Sequence, residues 1–83
     1  MELFEKLKVI RQAEGLTQMQ LCEAAGINIS TWKSYELQRR KEVSSLELLK
    51  ITNHPRFSKY TLWLMTDKAC PECGQVSPID QEI

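Results

Sequence analysis

Between Thr17 and Tyr35 the chain carries two helix starts on either side of one glycine, and this pattern narrows its possible folds more than any other. Thr17-Gln18-Met19-Gln20 has the spacing of a capping box, in which a Thr hydroxyl and a Gln side chain satisfy each other's orphan backbone N–H groups. It opens a short helix reaching Ala25. Gly26 can take positive φ without a Cβ clash, and Asn28 then offers an N-cap for a further helix through about Leu37. Counting from Gln18, a small residue falls fifth (Cys22), glycine ninth (Gly26), and apolar residues tenth, fifteenth and eighteenth (Ile27, Trp32, Tyr35). The small residue lets two helices cross closely, and the three apolar groups lock the second helix onto its neighbours. This is a helix-turn-helix arrangement.

The remaining elements follow from spacing and caps. Leu3, Leu7 and Ile10, with Phe4 beside them, predict a first helix over Glu2 to Glu14, stopped by Gly15. Ser44-Ser45-Leu46-Glu47 reads as a second capping box, starting a fourth helix to about Thr52 with Leu46 and Leu49, and also Leu48 and Ile51, as inward candidates. Pro55 sets the start of a fifth helix, Arg56 to about Thr66. The tail from Lys68, with Pro71, Gly74 and Pro78, is read as non-helical, with Gln75 to Ile79 as a short strand. The expected fold class is all-α, about five helices with a short extended tail. Residues 1–67 form the domain and 68–83 the tail.

With 83 residues, 42% hydrophobic and 27% charged, the chain has room for one core only. A chain this small buries about 60% of the surface its unfolded form exposes, so a partner surface is expected. The fifth helix offers Phe57, Tyr60, Trp63 and Leu64 for a dimer interface, with Val76 and Ile79 in a tail strand pairing across the axis. No apolar run approaches the roughly 20 residues that span a bilayer, and no signal peptide is read, so no membrane partner and a cytoplasmic location are expected.

The net charge is zero, but its distribution is uneven: residues 27–41 carry four bases and one acid, whereas residues 60–83 carry one base and four acids. Read alone, Arg39-Arg40-Lys41 is a solvated loop. Beside a helix-turn-helix it becomes a clamp for a phosphate backbone. The outward face of the third helix presents Ile29, Ser30, Lys33 and Ser34, a surface able to enter a major groove with its N-terminal end toward base edges. Phosphate contacts are assigned to Gln18, Thr31, Arg39, Arg40 and Lys41, which position the protein without specifying sequence.

Leu7-Lys8-Val9-Ile10-Arg11, Gly15-Leu16-Thr17-Gln18, Gly26-Ile27-Asn28 and Tyr35-Glu36 resemble the helix-turn-helix domains of the lambda-repressor-like family, over about residues 3–52. Arg56-Phe57-Ser58-Lys59-Tyr60-Thr61-Leu62-Trp63-Leu64-Met65-Thr66, followed by Pro71-Glu72 and Gly74-Gln75-Val76, is similar to the carboxyl-terminal part of the short C-type immunity repressors of P-two-like temperate phages. The resemblance implies a homodimeric transcriptional repressor of phage or prophage type, bound to double-stranded operator DNA at the bacterial nucleoid. It also implies that Arg11 and Glu36 pair inside the domain and orient the third helix. The alternative is an antitoxin-like interaction protein whose DNA binding is autoregulatory.

Two further features bear on chemistry. Cys70-Pro71-Glu72-Cys73-Gly74 has zinc-knuckle spacing but supplies only half of a tetrahedral site. The remaining ligands would come from Cys22, His54 or a second Cys70/Cys73 pair across a dimer axis. Without them the two residues are reduced thiols in a turn and the chain has no cofactor. The single His54 has no nucleophile arrangement around it, and there is no Gly-rich phosphate loop, so neither an enzyme nor a small-molecule substrate is expected.

Overall fold

A computed structural model describes residues 1–38 and 42–79. Among them are five α-helices: α1 (Leu3–Ala13), α2 (Gln18–Ala25), α3 (Ile29–Glu36), α4 (Ser45–Thr52) and α5 (Thr61–Thr66), with 3-10 turns at Ser58–Tyr60 and Pro71–Cys73. The fold is all-α, a helix-turn-helix domain with a short tail.

Local caps and turns set the end of α1 and the bounds of α2 and α3. α1 ends in a Schellman motif: Gly15 takes φ 67°, its N–H donates to the Gln12 carbonyl, and the Leu16 N–H donates to that of Arg11. α2 has the complete capping box, with the Gln20 N–H on Thr17 Oγ1 at 3.1 Å and the Thr17 N–H on Gln20 Oε1 at 2.9 Å. Gly26 ends it at φ 71°, and the N–H groups of Gly26 and Ile27 both donate to the Cys22 carbonyl. Asn28 Oδ1 then accepts from the N–H groups of Ser30 (2.8 Å) and Thr31 (3.3 Å), opening α3. α3 stops without glycine. Gln38 takes φ 61° and donates its N–H to the Tyr35 carbonyl, a left-handed residue that bears a side chain.

Phe4, Leu7 and Ile10 of α1 meet Leu21, Cys22, Ile27, Trp32 and Tyr35 in one core, which continues through Ile51, Phe57, Tyr60, Trp63 and Leu64. The last four correct the expected dimer face. Phe57, Tyr60, Trp63 and Leu64 are all buried within their own protomer. Their bulk closes the side of the core that α1 and α4 leave open, and so they are not available to a second copy. The helix carrying them is also shorter than expected. After Pro55 the chain makes turns on the His54 carbonyl, then a 3-10 turn, and becomes α-helical only at Thr61.

In α4, Ile51 is buried and Leu48 half-buried, whereas Leu46 and Leu49 point outward. At 100° per residue Leu46 lies about 160° around the helix from Leu48, and Leu49 about the same from Ile51, so the two pairs cannot share a face. Of the expected capping box only the Ser44 hydroxyl appears, accepting from the Leu46 N–H.

The tail forms no strand among the described residues. Cys70 and Gln75 make an isolated antiparallel bridge around the turn at Pro71–Cys73. Gln75 fixes that turn to the body: its Oε1 accepts from the Leu62 N–H (2.9 Å) and its Nε2 donates to the Ser58 carbonyl (3.1 Å). The Val76 N–H donates to the Lys59 carbonyl, half-burying Val76 against the core, while Ile79 is exposed. The Val76 N–H, expected in a strand pairing across a two-fold axis, is engaged within the same chain.

A buried lysine closes the far end of the bundle. Lys6 Nζ, on α1, donates to the carbonyls of Trp63 (3.3 Å) and Leu64 (3.2 Å) near the C-terminus of α5 and pairs with Asp67 at 2.5 Å. The cation thus meets carbonyls at the negative end of the helix dipole, of which that of Trp63 also accepts the Asp67 N–H.

Candidate nucleic-acid interface

α3 has two faces of opposite character. Trp32 and Tyr35, each 1% exposed, anchor it inward, edge to face with each other. On the other side Ser30 and Lys33 are exposed, and Ile29, Thr31 and Ser34 are partly so. Ile29 also packs against the core, which leaves only part of its side chain for an outside contact. The Ser34 hydroxyl donates to the Ser30 carbonyl at 2.9 Å, so it offers a partner its acceptor lone pairs rather than its proton.

Behind this face lies an ion pair. Arg11 Nε donates to Glu36 Oε2 (2.7 Å) and Nη2 to Oε1 (2.9 Å), a bidentate fork whose two side chains are 15% and 6% exposed. Arg11 Nη1 also donates to the Leu16 carbonyl (2.8 Å), so one guanidinium ties α1, the α1–α2 link and α3 together. Trp32 Nε1 donates to Glu36 Oε2 from one turn earlier on the same helix. Burial pushes the Glu36 carboxyl up, but the donors of Arg11 and Trp32, the Arg11 charge and Gln18 together hold it below the ordinary carboxylate range. It is therefore ionised at neutral pH, and the geometry of α3 rests on that charge.

Gln18, the first residue of α2, is partly exposed and has this second role beside Glu36. Arg39, Arg40 and Lys41 lie outside the described residues. The turn between α2 and α3 has a support that sequence reasoning missed: Lys50 Nζ, on α4, donates to the Gly26 carbonyl at 3.0 Å. No local pattern marks this contact, because the two residues meet only after α4 has folded back. The Trp32–Glu36 contact did leave a signal, the i, i+4 spacing on one helix.

Among the described residues no three His, Cys, Asp or Glu side chains converge to hold a metal ion. Cys22 is buried, and burial foremost, with the Glu36 charge, pushes its thiol up. His54 accepts the Arg56 N–H on Nδ1 and stacks on Phe57, as a corner residue does. Cys70 and Cys73 were expected as reduced thiols, and the structure joins them as a disulfide. Their turn sets the Cα atoms 5.2 Å apart, inside the span such a bond requires. No described helix is long and apolar enough to cross a membrane.

No family model matches the chain. Over 74 residues, covering 89% of this chain and 74% of the relative, it is 36% identical to repressor protein C of Escherichia phage P2. That span takes in most of the helical domain, and identity at this level over this length carries the whole fold rather than one motif. The chain therefore belongs to the family of the phage P2 repressor protein C.

Proposed function

We propose that the protein is a sequence-specific, double-stranded-DNA-binding transcriptional repressor of phage or prophage type, acting as a homodimer at operator DNA and having no enzymatic activity or small-molecule substrate. The observation that carries this reading is the two-faced α3. Its inner side is pinned by Trp32, Tyr35 and the Arg11–Glu36 fork, and its outer side presents Ser30 and Lys33 from an N-capped end. A helix held this rigidly can present hydrogen-bonding groups to base edges in a major groove without losing further conformational freedom. Ser30 and Lys33 read bases, with the methyls of Ile29 available to a thymine methyl. Ser34 lies on that same base-facing side, and Gln18, Thr31 and the Arg39-Arg40-Lys41 run contact phosphates and set the register.

The test is footprinting on the DNA that flanks the protein's own gene, with light scattering for the dimer. A protected site of two half-sites is expected. Ser30→Ala and Lys33→Ala should each relax base preference at one position of a half-site, costing about 1–3 kcal/mol there. Arg40→Ala should weaken binding to all sequences alike and reduce its salt dependence. Unchanged base preference in both α3 variants would overturn the assignment of α3 as the reader. A stoichiometric protein partner with no protected DNA would replace the repressor by the antitoxin-like reading.

A further inference from the structure

The turn Cys70-Pro71-Glu72-Cys73-Gly74 carries sulfur chemistry that DNA recognition leaves unused. Its backbone is held by hydrogen bonds of its own. Pro71 opens the 3-10 turn, Gly74 closes it at φ 78°, and the N–H groups of Cys73 and Gln75 both donate to the Cys70 carbonyl. The Cys70 N–H returns to the Gln75 carbonyl, and the Gln75 side chain bridges the turn to Leu62 and Ser58. A cross-link stabilises a fold more the longer the loop it closes, so a disulfide across a sequence separation of 3 adds little to this frame. Opening the bond therefore leaves the turn standing, with both sulfurs on it and Cα atoms 5.2 Å apart.

The two cysteines differ in access. Cys73 is exposed, as are Pro71, Glu72 and Gly74 around it, whereas Cys70 is half-buried. Thiol–disulfide exchange begins when a thiolate attacks one sulfur of the bond, and access helps decide which. An outside thiolate reaches Cys73 first. Its sulfur bonds to Cys73 Sγ, the Cys70–Cys73 bond breaks, and the electron pair leaves on Cys70 Sγ, which takes up a proton. Cys70 then stands beside the mixed disulfide, held there by the hydrogen bonds of Cys73 and Gln75 to its carbonyl. A monothiol is expelled when Cys70 returns to Cys73. A dithiol escapes this reversal, because its second thiolate attacks its own sulfur in the mixed disulfide, releases Cys73 as a thiol and departs as a disulfide. Two electrons and two protons have then passed from the dithiol to the protein.

We propose that Cys70–Cys73 is a site of reversible thiol–disulfide exchange that dithiols reduce, with Cys73 as the sulfur attacked and Cys70 as the resolving thiol. The site rests on neither the homodimer nor DNA recognition. Cys22 takes no part, being buried in the core.

The experiment is mass spectrometry of the folded full chain after treatment with dithiothreitol or with reduced glutathione, followed by acid quenching. Dithiothreitol should add two hydrogens while the helical circular dichroism signal stays unchanged. An alkylating reagent should then label Cys70 and Cys73 and spare Cys22. After removal of dithiothreitol, glutathione disulfide should take the two hydrogens away again, and neither form of glutathione should leave a lasting adduct on wild type. In the single variants treated with glutathione disulfide, Cys70→Ser should keep one glutathione on Cys73, formed about tenfold faster than the adduct on Cys70 in Cys73→Ser. Reduction that requires denaturant, or that removes the helical signal, would overturn the proposal. A stable glutathione adduct on wild type would remove Cys70 as the resolving thiol, and an adduct forming at least as fast on Cys70 as on Cys73 would overturn the assignment of the attacked sulfur.

Discussion

Of the carboxylates that tie α1 to the rest of the molecule, Glu36 and Glu14 sit in different settings. Glu36 meets Arg11 where both side chains are nearly closed off from water, whereas Glu14, itself 10% exposed, faces Arg56 and Lys59 that are 48% and 43% exposed. Glu36 depends on one bidentate fork and an indole N–H. Glu14 collects Arg56 Nε at 2.7 Å, Lys59 Nζ at 3.1 Å and the Tyr60 hydroxyl at 2.6 Å. The first arrangement fixes α3 against α1, and Arg11 alone brings it a positive charge. The second joins the end of α1 to the turn before α5 and is redundant. A buried pair sets geometry at high risk; a half-exposed cluster adds stability with little.

This difference is open to direct attack. The largest effect is expected from Arg11→Ala, which strands the Glu36 carboxylate: chemical denaturation should show a loss of about 3–5 kcal/mol. The double variant Arg11→Met/Glu36→Leu should recover much of that stability and, if the pair positions α3, still bind operator DNA less well than wild type. Equal losses from Arg11→Ala and from Glu14→Gln would erase the distinction between the two settings.

Glu14 gives the intermediate effect, and it depends on pH. Burial pushes its carboxyl up, but the hydrogen bonds from Tyr60, Arg56 and Lys59 and the Lys59 charge bring it down from 4.5 to about 2. Because the folded value lies below the unfolded one, the stabilisation is present above about pH 4.5 and is lost as pH falls toward 2. Allowing for solvent around its partners, the contribution is about 1–2 kcal/mol. Wild type minus Glu14→Gln, followed by urea denaturation between neutral pH and this acid window, should shrink toward zero as pH falls. A difference that stays constant would show the cluster to be electrostatically inert. The smallest effect belongs to Lys59→Ala, about 0.5 kcal/mol or less, since it removes one of three donors and an exposed one. A loss above that of Glu14→Gln would mean that the cluster is not redundant.

Legibility in the sequence follows the range of the interactions. Thr17, Gln20, Gly26 and Asn28 act within a few residues of themselves, and their caps and turn stand where spacing places them. The outward Ser30 and Lys33 follow from the periodicity of α3 once Trp32 and Tyr35 are inward. The lambda-repressor-like resemblance pointed to the Arg11–Glu36 pair, but its third donor, Trp32, and the Gln18 contact depend on side-chain placement. Lys50 on the Gly26 carbonyl and Lys6 on the end of α5 left no local trace. Lys6 reads as a surface charge until a helix 57 residues away is set over it.

By itself, then, the sequence determined the helix-turn-helix: its two starts, its glycine corner and the face that looks outward, because caps, left-handed glycine and 3.6-residue periodicity are local physics. Only the tertiary structure decided where the later apolar residues went. Phe57, Tyr60, Trp63 and Leu64 carry the same hydrophobicity on a dimer face as in a protomer's core, and Leu46, Leu48, Leu49 and Ile51 put apolar groups on two opposite sides of α4. Burial is driven by area without direction, so the side that is covered is set by which neighbour arrives, and that neighbour lies far along the chain.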